Sequence, residues 1–169
     1  DYGRLKEYAP FSFTTEETGG IIGNGDITMD WIVHVLKRTV DTQYRTKADR
    51  RHTFLAGSSM GGLMTLYGLL AYPEVFSRGA ALSPSLWIDA EKVKAMIRHA
   101  RVKRNTVLYM DYGALEFADH PHSRSLFAEV SALLIEKRVL LNSRIVPRGT
   151  HCEASWEKQI PFFMKTLFE

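Results

Sequence analysis

A single cysteine, Cys152, stands among the 169 residues, so no intramolecular disulfide can form and the fold cannot depend on an oxidising compartment. That leaves the compartment open, with the cytoplasm ahead of the periplasm or secretion. Long apolar runs are also missing. No stretch approaches the roughly 18 to 20 residues that span a bilayer, and Asp1-Tyr2-Gly3-Arg4 does not read as the start of a signal peptide. No charge of one sign dominates: 22 basic side chains face 19 acidic ones for a formal net charge of +3. The basic groups at 47–51, 101–104 and 137–138 are separated by acidic residues, which predicts a solvated surface with no nucleic-acid or membrane partner. With 12 glycines, 6 prolines and no internal repeat, collagen-like and disordered classes are excluded as well. What remains is a chain 45% hydrophobic and 24% charged, a single domain over 1–169. At that size, folding buries roughly 70% of the surface that the unfolded chain exposes.

Four short apolar or β-branched runs read as buried strands, at 53–56, 79–82, 106–110 and 143–146, and each is followed by a stretch with helical spacing. Trp31, Ile32, Val35, Leu36 and Val40 recur at helical intervals; so do Val93, Met96, Ile97 and Ala100, and Leu126, Val130, Leu133 and Leu134. The same spacing returns in Trp156, Ile160, Phe163, Met164 and Leu167, where Pro161 is placed to start a helix or kink one. Alternating strand and helix predicts an α/β fold, a parallel sheet with helices on both faces. Strands that are apolar throughout agree with coverage of both faces. The run Gly19-Gly20-Ile21-Ile22-Gly23-Asn24-Gly25 has neither a dinucleotide-site spacing nor a phosphate-loop ending, and it reads as a flexible surface loop.

The chemistry concentrates in Gly57-Ser58-Ser59-Met60-Gly61-Gly62, a G-x-S-x-G elbow directly after the strand at 53–56 and before the helical run 63–70. The strand-to-helix turn is so tight that Ser59 is expected in a strained backbone conformation, with glycine at 57 and 61 where a β-carbon has no room. The turn also places the Met60 N–H at the start of a helix, aimed at an oxyanion on an attacked carbonyl. A serine hydroxyl needs a base, and the base needs a carboxylate, in the chain order Ser, Asp or Glu, His. His151 follows the strand at 143–146, and Glu116 follows the strand at 106–110, with Asp111 and Asp119 as alternative acids. Both loops lie beyond the C-terminal ends of strands, where open parallel sheets gather ligands. Ser58 and Trp87 are candidate substrate-binding residues, Trp87 equally readable as a rim tryptophan that covers core.

The other histidines fit less well. His34 and His99 fall in helical runs, His52 precedes the elbow strand on the opposite edge, and His120-Pro121-His122 is a weak metal motif without a third ligand, so no metal and no cofactor is expected. Cys152 reads as a small buried residue, since sequence neighbours seldom present their side chains to each other.

These residues resemble the bacterial putative-esterase group of the α/β-hydrolases, which includes esterase D, enterochelin (siderophore) esterases and carbohydrate acyl esterases such as feruloyl and acetyl-xylan esterases. The resemblance runs over most of the chain. It is carried by Ala56-Gly57-Ser58-Ser59-Met60-Gly61-Gly62-Leu63, Tyr72-Pro73-Glu74-Val75-Phe76, Leu82-Ser83-Pro84-Ser85-Leu86-Trp87, Gly113-Ala114-Leu115-Glu116 and Gly149-Thr150-His151-Cys152-Glu153-Ala154-Ser155-Trp156. It implies Ser59 as nucleophile, His151 as base and Glu116 as acid, in a serine carboxylic-ester hydrolase acting through an acyl-enzyme on a siderophore, an acylated sugar or a small ester. Activity rising with pH through about 6 to 7 goes with a neutral histidine base. It further implies an upstream stretch, absent here, that supplies the first strands and a second oxyanion donor. The domain then reads as truncated at its N-terminus, with the elbow strand exposed and available for association with a second copy. A non-catalytic binding or assembly module and an acyltransferase are the competing readings.

Overall fold

The computed structural model describes residues 2–15, 19–119 and 122–169, with the backbone alone described at Tyr2 and Asp119. The N-terminal part holds a short helix α1 (Tyr2–Glu7), an antiparallel pair β1 (Phe13–Thr15) and β2 (Gly19–Ile21), then α2 (Gly25–Trp31), a wide π turn over Ile32–Leu36 and α3 (Lys37–Gln43). The rest alternates: β3 (Phe54–Ser58), α4 (Met60–Ala71), β4 (Arg78–Leu82), α5 (Ala90–His99), β5 (Val107–Gly113), the single turn α6 (Glu116–Asp119), α7 (Ser123–Glu136), β6 (Leu140–Val146), α8 (Glu153–Glu157) and α9 (Ile160–Phe168). β3 to β6 form one sheet in chain order, and every pairing is parallel.

Spatial order that follows sequence order puts all the crossover helices on one face, because parallel crossovers share one hand. On that face α4, α5 and α7 pack on one another or on the strands, over a core that includes Leu63, Leu66, Leu108, Met110, Val130 and Leu134. On the opposite face α9 covers β4 and β5, where Ala80, Leu82 and Tyr109 meet Leu167 and Phe163. The alternation of side chains along a strand accounts for the split: Ala80 and Leu82 face α9, and Ala81 faces the other way. Pro161 occupies the first turn of α9, where its missing N–H costs no helical hydrogen bond.

Several expectations need correction. Three residues of the expected flexible loop form β2, pairing Ile21 with the buried Phe13. The rest of the run is tied back to α1 and its exit by hydrogen bonds from Asn24 N–H to Lys6 O and from Gly25 N–H to Ala9 O. The expected apolar face of the segment after residue 30 is largely exposed: Trp31, Val35, Leu36 and Val40 face outward, while Met29 and Val33 are buried. The π turn shifts the stripe off a regular helical period. Likewise Ile160 and Met164 are exposed on α9, and β6 is not apolar throughout, since Asn142 and Ser143 lie exposed on an edge strand.

β3 forms the other edge. Among the described residues its only strand partner is β4. Beside it runs a cleft of about 330 Å³ lined by Ile32, Leu36, Val40, Phe54, Leu55 and Phe76.

Candidate active site

The strand-helix junction at the C-terminal end of β3 holds Ser59 at φ 57° and ψ −122°, a conformation that a non-glycine residue adopts only when its surroundings enforce it. Two backbone hydrogen bonds do so: Ser59 N–H donates to Leu82 O, and Ser85 N–H donates to Ser59 O. The need for glycine falls differently from the expectation. A β-carbon on Gly57 would stand 2.5 Å from the Gly61 carbonyl group, whereas one on Gly61 would meet nothing within 4 Å. The turn therefore requires glycine at 57 because the first turn of α4 passes directly over it. Gly62 is the second tight position: a β-carbon there would stand 3.0 Å from Leu82 O and from Pro84 Cα.

From this elbow Ser59 Oγ lies 2.9 Å from His151 Nε2, and His151 Nδ1 lies 2.7 Å from Glu116 Oε2. With the Nδ1 proton facing the carboxylate, Nε2 is left to accept the serine proton. Glu116 is buried, and its second oxygen, Oε1, accepts from Ser83 Oγ at 2.7 Å and from Gly113 N–H at 2.7 Å. Burial alone would push the Glu116 carboxyl up. Hydrogen bonds from His151, Ser83 and Gly113, with the attraction of His151, outweigh it and hold the group below the usual carboxylate range.

The acid and histidine loops are fastened to each other by their backbones. Ala114 N–H donates to Val146 O at 2.9 Å and Leu115 N–H to Gly149 O at 3.0 Å. Gly113 and Gly149 cross in direct contact, so that a β-carbon on Gly149 would stand 2.7 Å from Gly113 Cα.

Of the alternative acids, Asp111 lies within β5, fully buried, where it accepts from Tyr109 OH at 2.7 Å and from Ser83 N–H at 3.2 Å. Its burial, against those two hydrogen bonds, leaves its carboxyl above the usual range. The Asp119 side chain lies outside the described residues, as do His120 and Pro121. Among the described residues no three His, Cys, Asp or Glu side chains gather as metal ligands. His34, His52 and His99 make local contacts with Asp30, Asp49 and the Ala95 carbonyl. Cys152 is half-buried at the start of α8, with Sγ 3.3 Å from Thr150 Oγ1, so the small buried residue expected is a partly exposed one. Ser58 ends β3 and borders a shallow hollow with Trp156, Ile160 and Phe163. Trp87 lies in the helical turn Leu86–Ile88 just after β4, 44% exposed. Met60 opens α4 with its side chain buried, and its N–H is one of the first-turn donors that no carbonyl of the helix can reach.

Sequence reasoning missed Ser83, Ser85 and Trp156. Ser85 Oγ stands 3.4 Å from Ser59 Oγ, and the Trp156 indole N–H donates to Ser83 Oγ at 3.0 Å. All three lie in segments that carry the family resemblance, but nothing in the spacing there assigns a role to Ser83, which carries φ 41°.

A parallel sheet with a strained serine elbow and a histidine and carboxylate from later loops defines an α/β-hydrolase type of fold, and the comparisons agree. The family described as "Putative esterase" matches residues 23–164, so the chain belongs to that family. Over 78 residues it is 35% identical to the iron(III) salmochelin esterase of Escherichia coli O6:H1 (strain CFT073), covering 46% of this chain and 19% of that protein. An IroE-like serine hydrolase from Shewanella oneidensis superposes with a TM-score of 0.77 at 19% identity, over 97% of this chain and 55% of that one. The siderophore hydrolase EstA from Aspergillus nidulans gives 0.71 at 17% identity, over 99% and 66%. At such identities the structural likeness is one of fold, and the chain spans about half to two thirds of these solved relatives.

Proposed function

We propose that the chain carries the catalytic machinery of a serine carboxylic-ester hydrolase. The observation that supports this reading best is the continuous chain of contacts Ser59–His151–Glu116, at 2.9 and 2.7 Å, at the C-terminal edge of the sheet. In this reading His151 takes the Ser59 proton as Oγ attacks the ester carbonyl, and the Met60 N–H holds the tetrahedral oxyanion. His151 then returns the proton to the leaving alcohol, and water releases the acid from Ser59 by the same steps in reverse. Glu116, kept ionised by its three donors, fixes the imidazole tautomer and stabilises the imidazolium. An ester-linked siderophore is the substrate class that the names of the relatives support, ahead of acylated sugars and small esters.

The test is hydrolysis of p-nitrophenyl acetate together with labelling by a fluorophosphonate. Ser59→Ala is expected to lower turnover at least about a thousandfold and to remove the label. A folded wild-type sample that is neither active nor labelled overturns the reading in favour of a non-catalytic module. Transfer to an added alcohol in place of hydrolysis would make the protein an acyltransferase. A panel of a trilactone siderophore, a feruloyl sugar and an acetylated sugar tests the substrate class.

A further inference from the structure

We propose that Ser83 and Trp156 are positioning residues, a relay that holds Glu116 in place from behind while it faces His151. Trp156 Nε1–H donates to Ser83 Oγ at 3.0 Å, and Ser83 Oγ–H donates to Glu116 Oε1 at 2.7 Å. A serine hydroxyl has one proton and can rotate to whichever acceptor suits it. The indole N–H is a donor only, so it occupies a lone pair of Ser83 and leaves the serine proton for Glu116. A hydroxyl that accepts one such bond also donates the next more strongly.

The hydroxyl itself is held from the backbone. Ser83 is 1% exposed, sits at φ 41°, and donates its N–H to both Asp111 O and Asp111 Oδ1, at 3.0 and 3.2 Å. Trp156 acts on the histidine too: its ring stands edge-on to the His151 ring, 5.0 Å between centroids at 85°. One side chain thus touches the imidazole directly and reaches its carboxylate partner through a buried serine. Among the described residues, the titratable groups that bear on Glu116 are His151 after β6 and Asp111 and Tyr112 on β5. Tyr112 OH is engaged by Pro84 O, and Asp111 by Tyr109 and the Ser83 N–H.

The relay depends on the esterase reading only for its effect on turnover, and the experiment separates the two. Carbon-13 NMR of the Glu116 carboxyl is followed against pH in the wild type, Ser83→Gly, Trp156→Phe and the double variant. Glycine suits the positive φ at 83, and phenylalanine keeps a ring against His151. Losing a donor to the charged form raises a carboxyl, so the Glu116 midpoint is expected to rise by roughly one pH unit in Ser83→Gly. A smaller rise is expected in Trp156→Phe, and the double variant should titrate no higher than Ser83→Gly. An unmoved midpoint in Ser83→Gly, or a Trp156→Phe effect that adds in full to it, overturns the relay. If Ser83→Gly does not fold, Trp156→Phe alone decides by the same midpoint. For p-nitrophenyl acetate, kcat should fall roughly tenfold in Ser83→Gly with KM unchanged. A fall in kcat with the midpoint unmoved also overturns the relay. Shifted midpoints in a protein without any turnover uphold it and overturn the esterase reading.

Discussion

Ser59 is held by what surrounds it more than by its own motif. The glycines of that motif are unequal, and this sets a prediction. Gly57→Ala drives a β-carbon against the Gly61 carbonyl group and should cost about 1–3 kcal/mol, read as a lower urea midpoint. Gly61→Ala, into open space within α4, should be neutral or stabilising by up to about 1 kcal/mol, and any loss of activity there should appear in KM as obstruction of the substrate. The three residues proposed for the triad, which the structure brings within hydrogen-bond distance of one another, could be named from the sequence because the elbow has a fixed local spacing and because His151 and Glu116 each follow a strand by a few residues, with Asp111 and Asp119 competing for the place of the acid. Ser83 and Trp156 could not. Their bond joins positions 73 residues apart, and Trp156 fits the apolar spacing of the C-terminal helices so well that its indole N–H goes unnoticed.

At the level of elements, β4 and β5 were legible because they are buried on both faces and read as short apolar runs, whereas the edge strands β3 and β6 are only partly buried. Their ends were less so: the strand expected over 106–110 runs on past Asp111 to Gly113, with the buried Asp111 carboxylate accepting from Tyr109 OH and the Ser83 N–H. The π turn over Ile32–Leu36 was not legible either, since an apolar residue every three or four positions looks the same whether the helix stays regular or widens. For β3, which among the described residues has no strand on its outer side and borders an apolar cleft there, we propose association with a second copy of this chain. Sedimentation velocity should show a dimer growing with concentration, and Ala56→Lys, a charge placed at the exposed centre of β3, should shift the equilibrium toward monomer. A species that stays monomeric at high concentration would refute it.

For the molecule as a whole, two buried carboxylates pull its acid stability in opposite directions. Glu116, depressed in the folded state, contributes stability above its unfolded value near 4.5 that is lost as pH falls through the folded value. Asp111, raised from 3.8, does the reverse: its ionisation opposes folding as pH climbs from the unfolded value to the folded one. Urea midpoints measured from about pH 6 to about pH 3 should therefore fall less steeply with acid in Glu116→Gln and more steeply in Asp111→Asn. The parallel pairing has a further consequence for how the site is measured out. Ser58, Leu82, Asp111 and Arg144 stand side by side across the four strands, and Ser59, Ser83, Glu116 and His151 leave the sheet in turn from the strands behind that row. The ladder thus works as a ruler. A slip of one residue in any pairing would shift one mark by about 3.3 Å and turn its side chains to the opposite face, more than enough to part Ser59 from His151. Any correctly registered sheet has already set the spacing of its own chemistry before a substrate arrives.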